Sequence, residues 1–249
     1  MTTAQSEGRT LVDLLLRLYR EQLSAGGSGA YLAEHAQPEL VKHHVNVFLW
    51  YAKHLPRAGA ILDWGCNHAP DACLLRHAFG DRYDLFACDF PPASDFPIFR
   101  QYSRLQYSQL TDPTGPLPYA PGTFDVVIAS GALEHAAMDS DALKALYRVL
   151  KPDGLLVISY LPYRLSFEEW RRRRLGRHDF HRRLYGKRET ATLLKRCGFY
   201  PLEIGYQTFV PNVVEGKLPS WWKRILSPIR RPVFSHSVLC GIAQKVTTM

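Results

Sequence analysis

The chain has 249 residues, enough for one α/β domain with additions and a substantial core. Its 46% apolar content is ordinary for a globular protein, and no run approaches the roughly 18 uncharged apolar residues of a membrane span. The net charge of +8 is concentrated in two places: residues 171–188 hold nine bases and one acid, and residues 217–232 hold five bases and no acid. The remainder is acidic, with 17 bases against 22 acids, so general nucleic-acid affinity is not implied. Asp13 and Arg17 interrupt the only apolar stretch near the N-terminus, and no secretory leader is expected. The five cysteines form no C-x-x-C pair, which argues against a disulfide framework or a zinc site and fits a reducing cytoplasm.

Leu11, Leu14, Leu15, Leu18 and Tyr19 share one face of a helix over 9–23, which Gly26-Gly-Ser-Gly29 breaks. Pro38 opens a second helix, 38–54, and residues 1–55 read as a helical cover over one edge of the larger domain. From 56 to 249 strands alternate with helices: strand 60–63, helix 70–79, strand 84–88, a Pro-rich loop 91–98, strands 105–110 and 124–129, helix 139–150 and strand 154–160. Helix 188–197 closes on Cys197-Gly198-Phe199, and strands 200–206 and 237–246 complete the sheet. This order predicts a Rossmann-like, doubly wound α/β fold, with a mostly parallel seven-stranded sheet and helices on both faces. Basic inserts fall at about 161–188 and 207–236.

Chemistry gathers where the first strands end. The run Ile61-Leu-Asp-Trp-Gly-Cys-Asn-His-Ala-Pro70 is an apolar strand ending in an acid, followed by a turn and a helix start. The second strand ends on Asp89, 24 residues after Gly65, placed to accept hydrogen bonds from two ribose hydroxyls. A dinucleotide site needs G-x-G-x-x-G around a pyrophosphate, but here one glycine stands behind an acid. An acid repels pyrophosphate and attracts a ligand bearing sulfonium and ammonium groups.

Asp63-x-Gly65-x-Asn67-x-Ala69 resembles the first motif, D-x-G-x-G-x-G, of the class I S-adenosylmethionine-dependent methyltransferases, most closely the type 11-like small-molecule group. Leu117-Pro-Tyr119, Phe124-Asp-Val-Val-Ile-Ala-Ser-Gly-Ala-Leu-Glu-His135 and Leu150-Lys-Pro-Asp-Gly154 resemble later segments of that family in the same order. The resemblance covers roughly residues 40–205 and resumes at the final strand. It implies S-adenosyl-L-methionine as cofactor, with Asp63, Gly65, Cys66 and Asn67 at its amino-acid end and Asp89 and Phe90 at the ribose. Thr111 and Asp112 would lie near adenine, and Ser130 and Gly131 beneath the cofactor. His135 is the candidate general base, and Glu134 braces its loop.

Asn67 and Ala69 replace two family glycines. Asn tolerates a left-handed backbone well, so a working turn is expected; the alternative is a non-catalytic binding protein with an altered turn. An N-P-P-Y motif is absent, Ser130-Gly-Ala-Leu133 standing in its place, which disfavours methylation of base amino groups. The expected acceptor is a small molecule, or a phosphorylated, lipid-linked or nucleotide-linked one, methylated at oxygen in a biosynthetic step. An RNA methyltransferase is the alternative that the arginine run Arg171–Arg174 suggests. Trp221, Trp222, Ile225 and Ile229 among the bases of 217–232 add an expectation of peripheral contact with the inner membrane face.

Overall fold

Side chains alternate along the strands, and the alternation divides the core in two. In β1 (Gly59–Trp64), Ile61 joins one apolar cluster while Leu62 and Trp64 join the other, across the sheet. The computed structural model describes residues 3–26, 29–90, 96–110, 116–176, 181, 183–209 and 236–246. Besides β1 the sheet contains β2 (Tyr83–Asp89), β3 (Gln106–Gln109), β4 (Phe124–Ser130), β5 (Leu150–Pro162), β6 (Phe199–Phe209) and β7 (His236–Lys245). Its order is β3-β2-β1-β4-β5-β7-β6. The first five strands run parallel, and β7 pairs antiparallel with both β5 and β6. The order reverses between β1 and β4, so the cleft for a ligand opens above the ends of β1, β2 and β4.

One face of the sheet carries α1 (Thr3–Ser24), α2 (Gly29–His35), α3 (Pro38–Ala52), α4 (Pro70–Phe79) and α5 (Pro97–Ser103). The other carries α6 (Asp139–Val149) and α8 (Lys187–Arg196). Leu15, Leu18, Leu32, Val45, Phe48 and Tyr51 are essentially fully buried, so the three N-terminal helices are part of the main core. α1 also ties down the turn after β1: Tyr19 Oη lies 2.6 Å from His68 Nε2, in a cage completed by Phe96 and Phe99.

The boundaries differ from the sequence expectation where turns are at issue. The glycine run ends α1 at Ser24, and chain from Gly29 onward forms α2, too short to show a periodicity. The Pro-rich loop is shorter than 91–98, because Pro97 opens α5, a position where the missing amide costs nothing. β5 begins at Leu150, pairing with Phe124 before an irregularity at Asp153, where φ is 60°. Within the 171–188 basic segment, Arg171–Arg174 form the last turn of α7 (Phe167–Arg174). Cations there complement the helix dipole. The 207–236 insert, apart from its two ends, lies outside the described residues.

Candidate active site

The turn after β1 is built from three left-handed residues. Gly65, Asn67 and Ala69 have φ of 71°, 47° and 55°, at the three positions where the family motif has glycine. Gly65 is indispensable, because an added Cβ would lie 2.5 Å from Ala132 Cβ in the loop after β4. Asn67 is exposed and adopts the conformation readily; Ala69 is buried and carries a cost of about 1–2 kcal/mol. Backbone amides of Gly65 and Cys66 both donate to Cys88 O, so the turn hangs on β2. Burial pushes the Cys66 thiol well up, which removes it as a nucleophile.

Asp89 holds the same turn from its far end. Its Oδ2 accepts from Asn67 N and its Oδ1 from Phe90 N, both at 2.7 Å. Each oxygen can accept a second bond, and the residue is only half-buried, so ribose hydroxyls can reach it. Asp63 is buried, and its Oδ2 has no hydrogen-bond partner among the described residues. Burial, then repulsion from Asp71 and Asp89, raises its carboxyl well above the ordinary value. A buried carboxylate left in this state calls for a cation. The sulfonium and ammonium of S-adenosylmethionine fit that demand, and Asp63 and Asp89 would hold its two ends.

Asp71, on α4, completes the acidic floor. Tyr51 Oη donates to its Oδ1 at 2.5 Å, and His44 Nε2 lies 3.4 Å from its Oδ2. Burial alone would raise this carboxyl, but His44 beside it and the hydrogen bonds of His44, Tyr51 and Ser130 hold it below the ordinary value. Tyr160 Oη lies 3.2 Å from His44 Nδ1, so α3, α4 and β5 meet under the cleft. Ser130 Oγ lies 2.8 Å from Ser159 Oγ, and Gly131 N donates to Ser159 O at φ 61°. These two residues sit at the end of β4, as the sequence places them. Phe90 packs edge-on to Trp64, with ring centroids 6.0 Å apart. Thr111 and Asp112 lie outside the described residues.

Beyond Gly131 a 3-10 turn, Leu133–His135, carries one buried and one exposed titratable side chain. Glu134 is buried, with Oε2 lacking a hydrogen-bond partner among the described residues, and burial pushes its carboxyl up to about 8. His135 is largely exposed; burial of part of the ring, with His181 and Arg183 nearby, lowers its pKa. His181 and Glu169 come to this place from the segment after β5, with His181 Nδ1 2.8 Å from Glu169 Oε1. Neither was among the residues expected from sequence; the pairing joins a helix to a basic loop and leaves no local spacing to read.

No curated protein matches this chain in sequence. A family of proteins described as "Methyltransferase domain" matches residues 32–204. Among solved structures, a SAM-dependent methyltransferase of Thermotoga maritima aligns with TM-score 0.55 and 17% identity, over 82% of this chain and 91% of its own. Phosphoethanolamine N-methyltransferase 2 of Haemonchus contortus, in complex with S-adenosyl-L-methionine, aligns with TM-score 0.57 and 18% identity, over 81% of this chain and 53% of its own. At these identities the likeness is one of fold, and the family match covers the cofactor turn, both acid-ended strands and the loop after β4. The chain belongs to the methyltransferase-domain family and is an S-adenosylmethionine-dependent methyltransferase.

Proposed function

We propose that the methyl group passes to an oxygen of a small anionic acceptor, phosphorylated or linked to a lipid or nucleotide, bound over the loop after β4. The observation that carries this reading is the cluster of Glu134, His135 and His181 at the end of β4, beside the residues expected beneath the cofactor. A hydroxyl acceptor must lose its proton as the new bond forms, whereas a neutral amine need not lose one first. A carboxylate and two imidazoles suit that need. The exposed arginines Arg173 and Arg174 at the end of α7 follow Glu169 on the same short helix, and guanidinium groups match phosphate oxygens.

When bound, S-adenosylmethionine supplies a methyl group on a positively charged sulfur, already activated for displacement. The chain's part is to align the acceptor with that methyl and to exclude water. Asp63 and Asp89 fix the cofactor's ends, Gly65 keeps the turn close to the loop after β4, and the histidine cluster takes charge of the acceptor's proton.

The test is incubation with methyl-labelled cofactor and a panel of phosphorylated polyols, nucleotide-linked sugars, lipid phosphates and RNA, with mass spectrometry to place the methyl. Label on a hydroxyl oxygen of a small anionic compound supports the reading. Label on nitrogen or carbon, or on RNA alone, overturns it.

A further inference from the structure

The loop after β4 and the segment after β5 bring together side chains of a kind that bind metals. One ligand atom each from Glu134, His135 and His181 lies within 4.8 Å of the other two. Glu134 Oε1 is 3.9 Å from His135 Nε2, and the rings of His135 and His181 have centroids 6.1 Å apart. A divalent ion bound at about 2.0–2.2 Å from each ligand spans such separations with small adjustments.

Two further observations point to a cation. Glu134 has a side chain only 3% exposed, and its Oε2 finds no hydrogen-bond donor among the described residues. Its Oε1 faces His135 and the Arg183 guanidinium is nearby, but an oxygen taken out of water with no donor of its own is costly. A bound cation supplies the missing partner. Second, Glu169, itself buried, lies 2.8 Å from His181 Nδ1. An N–H donated to that carboxylate leaves the ring's lone pair on Nε2, and such carboxylate–histidine pairs orient metal ligands and raise their basicity.

We propose that Glu134, His135 and His181 form a divalent transition-metal site, with Glu169 as the positioning residue for His181, and that the bound ion takes the acceptor oxygen. Two imidazoles and one carboxylate, with open positions for substrate, suit zinc, manganese, iron(II) or cobalt better than magnesium or calcium. The site's role in transfer rests on the oxygen-acceptor reading; its existence does not. An ion there would lower the pKa of an acceptor hydroxyl, so that its proton passes to water, the oxygen forms the bond to the methyl carbon, and the carbon–sulfur electron pair stays on sulfur as the thioether. His135 would then serve as a ligand and not as a lone base.

The experiment uses the full, tag-free chain, stripped of metal and titrated with Co²⁺, Zn²⁺ and Mn²⁺ without acceptor. One equivalent should bind, and Co²⁺ should give visible d–d absorption typical of mixed nitrogen and oxygen ligands. Glu134→Gln and His181→Ala should abolish saturable binding, and Glu169→Gln should weaken it about 10- to 100-fold. Thermal melting guards against misfolding: the metal should raise the wild-type Tm and leave that of Glu134→Gln unmoved. No saturable binding of any of the three ions, or equal binding by Glu134→Gln and His181→Ala, overturns the proposal. Metal binding with a nitrogen-methylated product would refute the oxygen reading and keep the site. Oxygen methylation by the metal-free enzyme, unaffected by added ion, would keep the oxygen reading and refute the ion's role in transfer.

Discussion

Asp89→Ala separates two jobs of one carboxylate, the bracing of the turn that the structure shows and the ribose contact proposed for it. Its free acceptor capacity is what we assign to the ribose, and a charge-assisted hydrogen bond contributes about 1.5–3 kcal/mol. Loss of that interaction should weaken S-adenosylhomocysteine about 10- to 100-fold, at about 1.4 kcal/mol per decade. The same substitution strips acceptors from Asn67 N and Phe90 N. Asn67 is exposed, so water can replace its bond, whereas Phe90 is half-buried and its amide is left worse off. The expected stability loss is about 1–2 kcal/mol, or about 2–8 °C in Tm at the size of this chain. Asp84→Ala is the control: it removes one charge from the same strand, at an exposed position. The assay pairs calorimetric titration of S-adenosylhomocysteine with thermal melting of all three proteins. Affinity in Asp89→Ala equal to that in Asp84→Ala would refute the ribose assignment. Lost affinity with an unchanged Tm would refute the bracing role.

Asp63 should make cofactor binding pH-dependent. Its carboxyl in the free protein is raised above 3.8, so affinity for the cationic cofactor should climb as pH rises through that raised value, with proton release seen as buffer-dependent heats. For stability the sign is opposite: an acid raised by folding costs stability as pH rises above its unfolded value. Asp63→Asn should therefore melt no lower than wild type at neutral pH without ligand, yet bind cofactor weakly and without the pH dependence; a lower Tm counts against a desolvated charge. Gly65→Ala should lose at least about 1–2 kcal/mol from its left-handed φ, besides the clash with Ala132, as read by denaturant unfolding. Ala69→Gly should change stability by less than about 1 kcal/mol, since relief of φ is offset by unfolded-chain entropy and a lost buried methyl. His135→Ala should cut turnover about 10²- to 10⁴-fold with cofactor affinity intact; a loss under about tenfold removes it from the chemistry. Co-sedimentation with anionic vesicles at low salt checks the membrane expectation for 217–232, and no binding there rejects it.

What the sequence made legible is what rests on local chemistry. Apolar runs ended by Asp63 and Asp89 placed both acids at strand ends, and the turn between them could be read because its residues are neighbours in the chain. Alternating strands and helices indicated the parallel sheet. Asn67, read from sequence as a residue that tolerates a left-handed backbone, adopts one, and Ala69 does too. Three things were not legible. α2 and α5 span seven residues each, too few for a hydrophobic period to stand out. Asp71 reads as an ordinary first-turn acid, and only folding brings His44 and Tyr51 to it. His181 lay within a run of basic residues, and its partner Glu169 and neighbour Glu134 come from elsewhere in the fold.

Arg183 donates to the carbonyls of Ala136 and Ala137, while Tyr185 and Pro162 close the base of the segment after β5 through a backbone bond of 2.9 Å. One guanidinium thus fastens together the two loops to which we assign the acceptor, each rooted in a different strand. Specificity in such an arrangement is inherited as a pair. Grafting the segment after β5 from a relative, without the turn after β4 that receives its arginine, would import contacts with nothing to grip. Diversification of substrate, whether in a laboratory library or over long descent, should proceed by joint change of both loops while the acid-ended strands beneath them stay as they are.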